Sequence, residues 1–370
     1  MINITTKYFS WNKILLLGVG LWPYKQSNLT RLQFIFLSSI LSTNVIFQCT
    51  IFVSHRCTPD LIIKVLSFVC FLLLSVIHYN MFSVKAMKDL FEQLLHVCNG
   101  LKDEKEIAII NEYGRIGKHY TVALTVIGIF SIFIVTIASL SSDIFNVILS
   151  STNVSRSHRL MIMTEYFIDQ EKYFYFILFH FIASASIGVM SSIAIGTTFI
   201  TYLHHVCGML KIASYRIECA MSIDMLRNIN HKRHILIKIL IYAVDIHRQA
   251  LKLSKHLQYS CETMMFCLVT FGVLSLSLNL FQIASFGEEL LVPFLCAFAA
   301  IVYMFIANYI GQIITNHNND VFVTVYNVRW YVAPLYIQRM ILFLLQRNSK
   351  TFTLNVGGLF VSSIECFATV

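Results

Sequence analysis

The feature that most constrains this chain is a series of long stretches without charged side chains. Each of six windows is longer than the roughly 18–20 residues that a helix needs to cross the hydrocarbon layer of a membrane. The windows are Arg31–His55, Lys64–Lys85, Lys118–Asp143, Lys172–Lys211, Glu262–Glu288 and Glu289–Asp320. Their apolar residues are continuous rather than alternating, which favours helices over the strands of a membrane barrel. The sequence therefore predicts an all-α, multi-span membrane protein.

Composition supports the same class, because hydrophobic residues make up 57% of the chain and charged residues only 13%. A soluble protein carries about a quarter charged residues, and the mean hydropathy here is +0.69. A seventh window, between Lys350 and Glu365, has fourteen residues, and we expect it to begin a last membrane helix. The predicted organisation is an N-terminal segment (1–30), six spans with their loops (31–311), an anchor helix region (312–351) and an incomplete seventh span (352–370).

The distribution of Lys and Arg predicts the orientation in the membrane. If the N-terminus and the second, fourth and sixth loops share one side, 23 of the 28 basic residues lie there. Positively charged loops face the cytoplasm, so the N-terminus is predicted to be cytoplasmic and, with seven spans, the C-terminus extracellular. This topology is inverted relative to that of a G-protein-coupled receptor. It accounts for the net charge of +9 without a nucleic-acid partner, and it leaves the sequon at Asn153 as the candidate glycosylation site.

Two segments outside the six windows also have predicted roles. The apolar run Ile14–Pro23 is too short to cross the membrane, and its Trp22, followed by Tyr24, suits the headgroup level. It is predicted to be an interfacial segment beside the first span. The segment Asn316–Lys350 is predicted to form one long cytoplasmic helix, because it carries an apolar stripe and large aromatic side chains of the kind enriched at interfaces.

Motifs of catalysis are not found in the sequence, which contains no G-x-S-x-G, P-loop or H-E-x-x-H pattern. An enzyme is therefore disfavoured, and no cofactor is predicted. The cluster His204-His205-x-Cys207 could suggest zinc, but no fourth ligand stands at metal spacing, so packing at the membrane edge is the preferred interpretation. Ionisable residues inside the predicted spans are functional candidates. They are His78, His180 and Glu365, and hydrogen-bonded packing is the alternative for the two histidines.

Three groups of residues carry a resemblance to a known family. The first is Asn12-Lys13-Ile14-Leu15-Leu16 followed by Gly20-Leu21-Trp22-Pro23-Tyr24. The second is the run from Glu165 to Phe174, then His205-x-Cys207-Gly208 and Tyr215-Arg216-x-Glu218. The third is the run from Tyr326 to Tyr331, then Arg339, Arg347 and Lys350, and finally Gly357-Gly358-Leu359-Phe360 and Glu365-Cys366-Phe367. In this order they resemble insect odorant receptors of the hymenopteran type, over nearly the whole chain.

The resemblance implies a ligand-gated, non-selective cation channel that is opened by a small, volatile, apolar ligand. It further implies assembly with the shared odorant receptor coreceptor as a heterotetramer, surrounded by lipid in the plasma membrane of olfactory neuron dendrites. A gustatory receptor-type channel shares the fold and is the first alternative. The second is a truncated, non-functional receptor, because family members continue past the position that matches Val370.

The same resemblance implies site residues. In the family, odorants bind in the outer halves of helices two, three, four and six. Carrying that depth over selects Phe68, Phe71, Leu72, Ser131, Ile134, Ala138, His180, Phe181, Ser184, Phe294 and Phe298 as candidate ligand contacts. The candidate pore residues are Val361, Ile364, Glu365, Phe367 and Val370, and the candidate subunit contacts are Tyr326, Trp330, Tyr331 and Arg339.

The predicted topology can be tested with an epitope tag at the N-terminus. Because the basic residues place that end in the cytoplasm, antibody should stain the tag only after the cells are permeabilised. A tag on the loop around Asn153 serves as the control and should stain on intact cells. Staining of the N-terminal tag on intact cells would contradict the orientation.

Overall fold

The computed structural model describes residues 8–54, 56–149, 164–222, 229–285, 291–348, 353, 355–356 and 360–369. The helices in these ranges are α1 (Ser10–Gly18), α2 (Asn28–Cys49), α3 (Ile51–Ser54), α4 (Pro59–Met81), α5 (Val84–Asn99), α6 (Glu104–Leu149), α7 (Phe174–Ala220), α8 (Ile229–Ser285), α9 (Leu291–Asn327), α10 (Leu335–Asn348) and α11 (Ile364–Thr369). A 3-10 turn covers Trp330–Val332, and two short strands, β1 (Asn355–Val356) and β2 (Phe360–Val361), pair with each other.

Six helical stretches are long and apolar enough to cross a membrane, and they confirm the predicted all-helical membrane fold. These stretches are Asn28–Ser54, Pro59–Met81, Glu104–Ile137, Phe174–Ala220, His234–Ser285 and Val292–Asn327. Each contains or overlaps one of the six predicted windows. The helix α8 has 57 residues, or about 85 Å at 1.5 Å per residue, so it reaches far beyond a hydrocarbon layer of about 30 Å.

Local sequence signals explain where the outer helices begin. The helix α2 starts with a capping box, in which the hydroxyl of Ser27 accepts from the amide of Thr30 and the hydroxyl of Thr30 accepts from the amide of Ser27. The helix α4 starts with Thr58 as its cap and Pro59 in the first turn. Both arrangements satisfy or remove backbone donors that a helix start leaves without partners.

The helix α7 lies at the centre of the bundle and contacts α1, α2, α4, α6, α8 and α9. Every residue from Thr197 to Leu210 is buried. A helix whose surface is apolar or small on all sides is typical of an element surrounded by others. The ends of α6 and α7 are joined by an ion pair, in which Nη2 of Arg216 lies 2.8 Å from Oε2 of Glu106.

The N-terminal segment packs inside the helical bundle, and its position at the membrane interface stays a prediction. The helix α1 packs inside the bundle against α6 and α7, and Phe9, Leu16 and Trp22 are buried in the main hydrophobic core. Ile14, on the other side of α1, remains exposed. Length correctly excluded a membrane span, but sequence gave no sign that the other helices leave room for this segment.

A buried polar network holds α1 in place. The side-chain amide of Asn12 donates to the hydroxyls of Thr197 (3.0 Å) and Thr121 (3.3 Å). Just past the end of α1, the hydroxyl of Tyr79 donates to the carbonyl of Val19 at 2.7 Å. Three long helices therefore contribute partners to a short segment that could not be a stable helix alone.

The predicted long helix Asn316–Lys350 is interrupted. The helix α9 ends at Asn327, and α10 begins only at Leu335. Pro334 explains the break, because proline has no amide proton and disfavours helical backbone at the residue before it. Ala333 accordingly has extended backbone, with φ −74° and ψ 157°.

The C-terminal segment also differs from the expected continuous span. Asn355–Val356 and Phe360–Val361 form an antiparallel pair, and the described helix covers only Ile364–Thr369. The intervening sequence contains Gly357-Gly358, and glycine is a poor helix former. Hydrogen bonds fix the segment to α9, since the hydroxyl of Ser362 donates to the carbonyl of Ala307 at 3.0 Å.

The polar network around α1 should contribute measurably to stability. We expect Asn12→Ala to destabilise the fold by roughly 1–3 kcal/mol, because it removes two buried hydrogen bonds and leaves a void. The midpoint of thermal unfolding in detergent, followed by intrinsic fluorescence, should fall relative to wild type. Lys13→Ala, at the exposed neighbouring position, is the matched control and should leave it unchanged. Equal midpoints for the two variants would show that the network is dispensable.

Candidate functional site

An aromatic cluster marks the place where α4 meets α7. The ring of Phe68 lies 5.9 Å from that of Phe181 and 6.4 Å from that of Phe71, measured between centroids. Leu72 and Phe181 are buried, and Ser184 lies one turn beyond Phe181 and is fully buried. The structure thus places these five predicted ligand contacts in one region, which we call the α4–α7 site.

His180 lies beside this site and uses both ring nitrogens. Its Nδ1 is 2.7 Å from the hydroxyl of Tyr166, and its Nε2 is 3.1 Å from the hydroxyl of Thr43. The ring of Phe47 stacks on Tyr166 with centroids 4.2 Å apart. Hydrogen-bonded packing, the alternative considered for His180, is what the structure contains. The same holds for His78, whose Nε2 is 3.2 Å from the hydroxyl of Tyr303.

The remaining predicted ligand contacts lie elsewhere. Ser131 lines a cleft of about 30 Å³ between α6 and α7, far smaller than the roughly 300–1,000 Å³ of typical ligand pockets. Ile134 is 49% exposed, and Phe294 and Phe298 are each 58% exposed. The side chain of Ala138 lies outside the described part of the chain. The structure therefore does not bring these residues to the α4–α7 site.

Sequence analysis missed two polar residues on α2. Asn44 and Gln48 are 0% and 1% exposed, and they stand one helical turn apart on one face. In the described part of the chain, neither side-chain amide has a hydrogen-bond partner at its nitrogen or its oxygen. The signal that could have found them is a pair of side-chain amides at positions i and i+4 inside a window without charged residues.

The histidine pair predicted to pack at the membrane edge is buried in the bundle core. The ring of His204 stacks on Tyr120 with centroids 5.2 Å apart. Nδ1 of His205 is 2.8 Å from the carbonyl of Thr201. In the residues that the structure describes, no group of three His, Cys, Asp or Glu side chains could hold a metal ion.

The candidate subunit contacts lie at the end of α9 and beyond it. Tyr326 and Tyr331 are 63% and 65% exposed, and Arg339 is exposed on α10. Trp330 differs, because it is partly buried and packs against the hydrophobic core of its own chain.

Most of the candidate pore residues lie in the C-terminal segment that packs along α9. Val361, Ile364 and Glu365 are exposed, whereas the ring of Phe367 packs edge-on against Phe305, with centroids 5.4 Å apart. Val370 and the predicted glycosylation site Asn153 lie outside the described residues.

Comparison with known protein families identifies the chain. The sequence model described as 7tm Odorant receptor matches residues 56–370. The chain belongs to this odorant receptor family. The membership confirms the resemblance found in the motifs and supports a receptor over an enzyme.

Solved structures agree with the assignment at the level of the fold. The insect olfactory receptor OR5 from Machilis hrabei has a TM-score of 0.78 with this receptor, at 14% identity, over 98% of this chain and 94% of that one. The same receptor in complex with eugenol gives a TM-score of 0.76 at 13% identity, over 98% and 95% of the two chains. Comparison with curated protein sequences gives no match.

Proposed function

We propose that this odorant receptor is a subunit of an odorant-gated, non-selective cation channel in the plasma membrane of olfactory neuron dendrites. Small volatile ligands bind at the α4–α7 site, and the partner subunit is the shared coreceptor. The observation that carries the ligand part of the proposal is the convergence of Phe68, Phe71 and Phe181 beside buried Ser184. The complex of the Machilis hrabei receptor with eugenol supports a ligand of this size class.

The expected driving force is burial of apolar surface. A volatile ligand that buries about 250 Å² against the aromatic cluster would gain about 6 kcal/mol at 25 cal/mol per Å². The costs of lost translational and rotational freedom are subtracted from that gain. The net affinity is modest, which suits a receptor that must release its ligand quickly. Aromatic rings contribute because they present large rigid surfaces with few rotatable bonds.

The pore is proposed to include Val361, Ile364, Glu365, Phe367 and Val370. The exposure of Val361, Ile364 and Glu365 in the single chain supports a surface that faces a channel or a neighbouring subunit. A carboxylate such as that of Glu365 attracts cations to a pore. The hydrogen bonds between the C-terminal segment and α9 link this part of the chain to a helix that crosses the membrane.

The coreceptor is proposed to contact the surface formed by the end of α9, the 3-10 turn and α10, which we call the α10 surface. The helix α10 has two faces, of which one, with Ile337 and Ile341, is buried against its own chain. The other carries Leu335 and Leu342, which are 64% and 61% exposed, on either side of Arg339. Exposed apolar patches of this kind are typical of protein interfaces, and an arginine at their centre is common there.

The ligand site is tested by truncating its aromatic side chains. With the receptor and coreceptor expressed together, Phe71→Ala and Phe181→Ala should each raise the half-maximal odorant concentration by about tenfold or more. Loss of a buried phenyl ring removes about 1.5–3 kcal/mol of transfer free energy. The measurement is the current as a function of odorant concentration, with odorants chosen by their activity on the wild-type receptor.

The matched control for this test is Phe179→Ala on α7, since Phe179 is 72% exposed. It should leave the concentration dependence unchanged. Unchanged responses in both cluster variants would place the ligand elsewhere, and equal shifts in all three variants would point to a general defect of α7.

The assembly surface is tested by placing charge on it. Because Leu335 and Leu342 are exposed, Leu335→Glu and Leu342→Glu should leave the chain folded but prevent its co-purification with the coreceptor. A carboxylate buried in an interface without a partner is strongly unfavourable. Ile235→Glu changes a residue on α8 that is 53% exposed and serves as the control. Normal co-purification of both leucine variants would refute the α10 surface as the contact.

A further inference from the structure

The wall of the ligand site that α2 provides is polar, and its polar groups have no partners. Asn44 and Gln48 are almost fully buried, and so is Ser184 on α7. Across the described part of the chain, no hydrogen bond is made by either amide or by the hydroxyl of Ser184. More than about nine-tenths of buried polar groups in proteins are hydrogen-bonded. Other buried groups of the described residues, among them the hydroxyls of Tyr202 and Ser214, also lack a partner. Ser184 differs from these because it lies one turn from Phe181 of the aromatic cluster, where a ligand would supply the missing partner.

Contacts between α2 and α7 indicate that these three groups face the same part of the bundle interior. A Cβ atom added to Gly188 of α7 would lie 3.7 Å from the side chain of Leu41 of α2. Two residues further along α2, Thr43 is hydrogen-bonded to His180 of α7. Ser184 lies midway between Gly188 and His180 along α7. Asn44 follows Thr43 directly and is fully buried, which puts it near the level of His180, about one helical turn from Ser184 along α7.

Gln48 extends this polar face by one turn of α2, towards Glu165, whose amide donates to the carbonyl of Phe47 at 3.0 Å. On α7, Phe181 precedes Ser184 by three residues and carries the aromatic cluster on the same helical face. The interior therefore has an amide-lined side on α2 and an aromatic side on α4 and α7.

We propose that Asn44, Gln48 and Ser184 bind the hydroxyl group of an alcohol ligand, while its apolar body packs against the aromatic cluster. This inference rests on the proposed ligand site. Each amide has both N–H donors and a carbonyl acceptor. A hydroxyl both donates and accepts, so it can pair with both kinds of group. An ether or ketone oxygen only accepts and leaves the amide oxygens without partners.

A neutral ligand fits better than a carboxylate. The ionisable side chain nearest to these groups along α7 is that of His180, and both of its ring nitrogens are engaged by Tyr166 and Thr43. A buried carboxylate without a cationic partner is strongly disfavoured. The site as built therefore selects for hydrogen-bonding capacity rather than for charge.

The experiment compares matched ligands on the receptor expressed with the coreceptor. The probes are straight-chain primary alcohols from hexanol to decanol, each with its methyl ether and with the alkane of the same length. Wild type should respond to the alcohols at concentrations about tenfold or more below those of the ethers, because a site built for a hydroxyl rejects ligands that leave its polar groups unpaired.

The variants Asn44→Leu and Gln48→Met remove each amide at nearly constant volume. Each should raise the half-maximal alcohol concentration by about tenfold or more and raise that of the ether by less, because an ether oxygen can accept from an amide N–H group but cannot donate to the amide oxygen. Asn80→Leu, which removes an exposed amide on α4, is the control and should change neither. Without ligand, Asn44→Leu should raise the unfolding midpoint, because replacing an unpaired buried amide by an apolar group of similar shape is favourable.

Several results would overturn the inference. Equal sensitivity of wild type to alcohols and ethers, or equal shifts of both in the variants, would show that the amides do not recognise a hydroxyl. A lowered unfolding midpoint in Asn44→Leu would show that the amide is satisfied structurally, for example by bound water. Responses to alkanes and ethers but not alcohols would refute this inference and leave the proposed function standing. No current with any volatile ligand in a broad panel would refute both.

Discussion

The close packing of α6 against α7 is the interaction on which the rest of the structure depends. Small residues permit it, since a Cβ atom on Gly117 would lie 3.0 Å from the backbone of Thr201, and one on Gly208 would lie 3.1 Å from Ile110. Between membrane helices there is no hydrophobic driving force in lipid, so close backbone approach and dispersion contacts hold them together. The other spans and α1 then pack around this pair, and α7 becomes a helix buried on every side.

The polar interior follows from that packing. Thr121 and Thr197 satisfy their hydroxyls on the carbonyls of their own helices, so they can line a tight interface without an unmet hydrogen bond. Their hydroxyl oxygens also accept hydrogen bonds from the side-chain amide of Asn12 on α1. Because α7 is one continuous helix from Ser184 to Thr197, about 20 Å of helix connects the α4–α7 site to the network around the N-terminal segment.

Much of the fold could be predicted because long apolar windows leave few alternatives. All six windows correspond to helices that are long and apolar enough to span a membrane, and their composition disfavoured a soluble protein. Tertiary packing decided what the sequence did not. The burial of α1 depends on space left by helices far away in the chain. The interruption before α10 follows from Pro334, which has no amide proton, and the apolar stripe that continues across it does not keep the helix intact.

The candidate site was likewise predictable only in part from the sequence. The depth implied by the family resemblance selected Phe68 and Phe181, whose rings lie 5.9 Å apart. Their role as ligand contacts stays a prediction. The inward face of an almost wholly apolar helix cannot be read from periodicity, which is why Phe294 and Phe298 are exposed in the structure. Polar residues indicate which face of such a helix points inward, because a polar side chain is costly to bury and is favoured where the interior supplies it with partners.

That cost also bears on how the receptor distinguishes ligands. Each buried polar group without a partner destabilises the unliganded receptor by about 1–3 kcal/mol. A ligand that pairs with Asn44 and Gln48 relieves this penalty, whereas an apolar ligand of equal size leaves it in place. Under the proposal, burial against the aromatic rings gives every volatile ligand of suitable size a similar affinity, so discrimination comes from the unpaired amides of the empty site rather than from a tighter fit. Specificity of this kind is a difference between two affinities, and it requires that the amides remain unpaired until the ligand arrives.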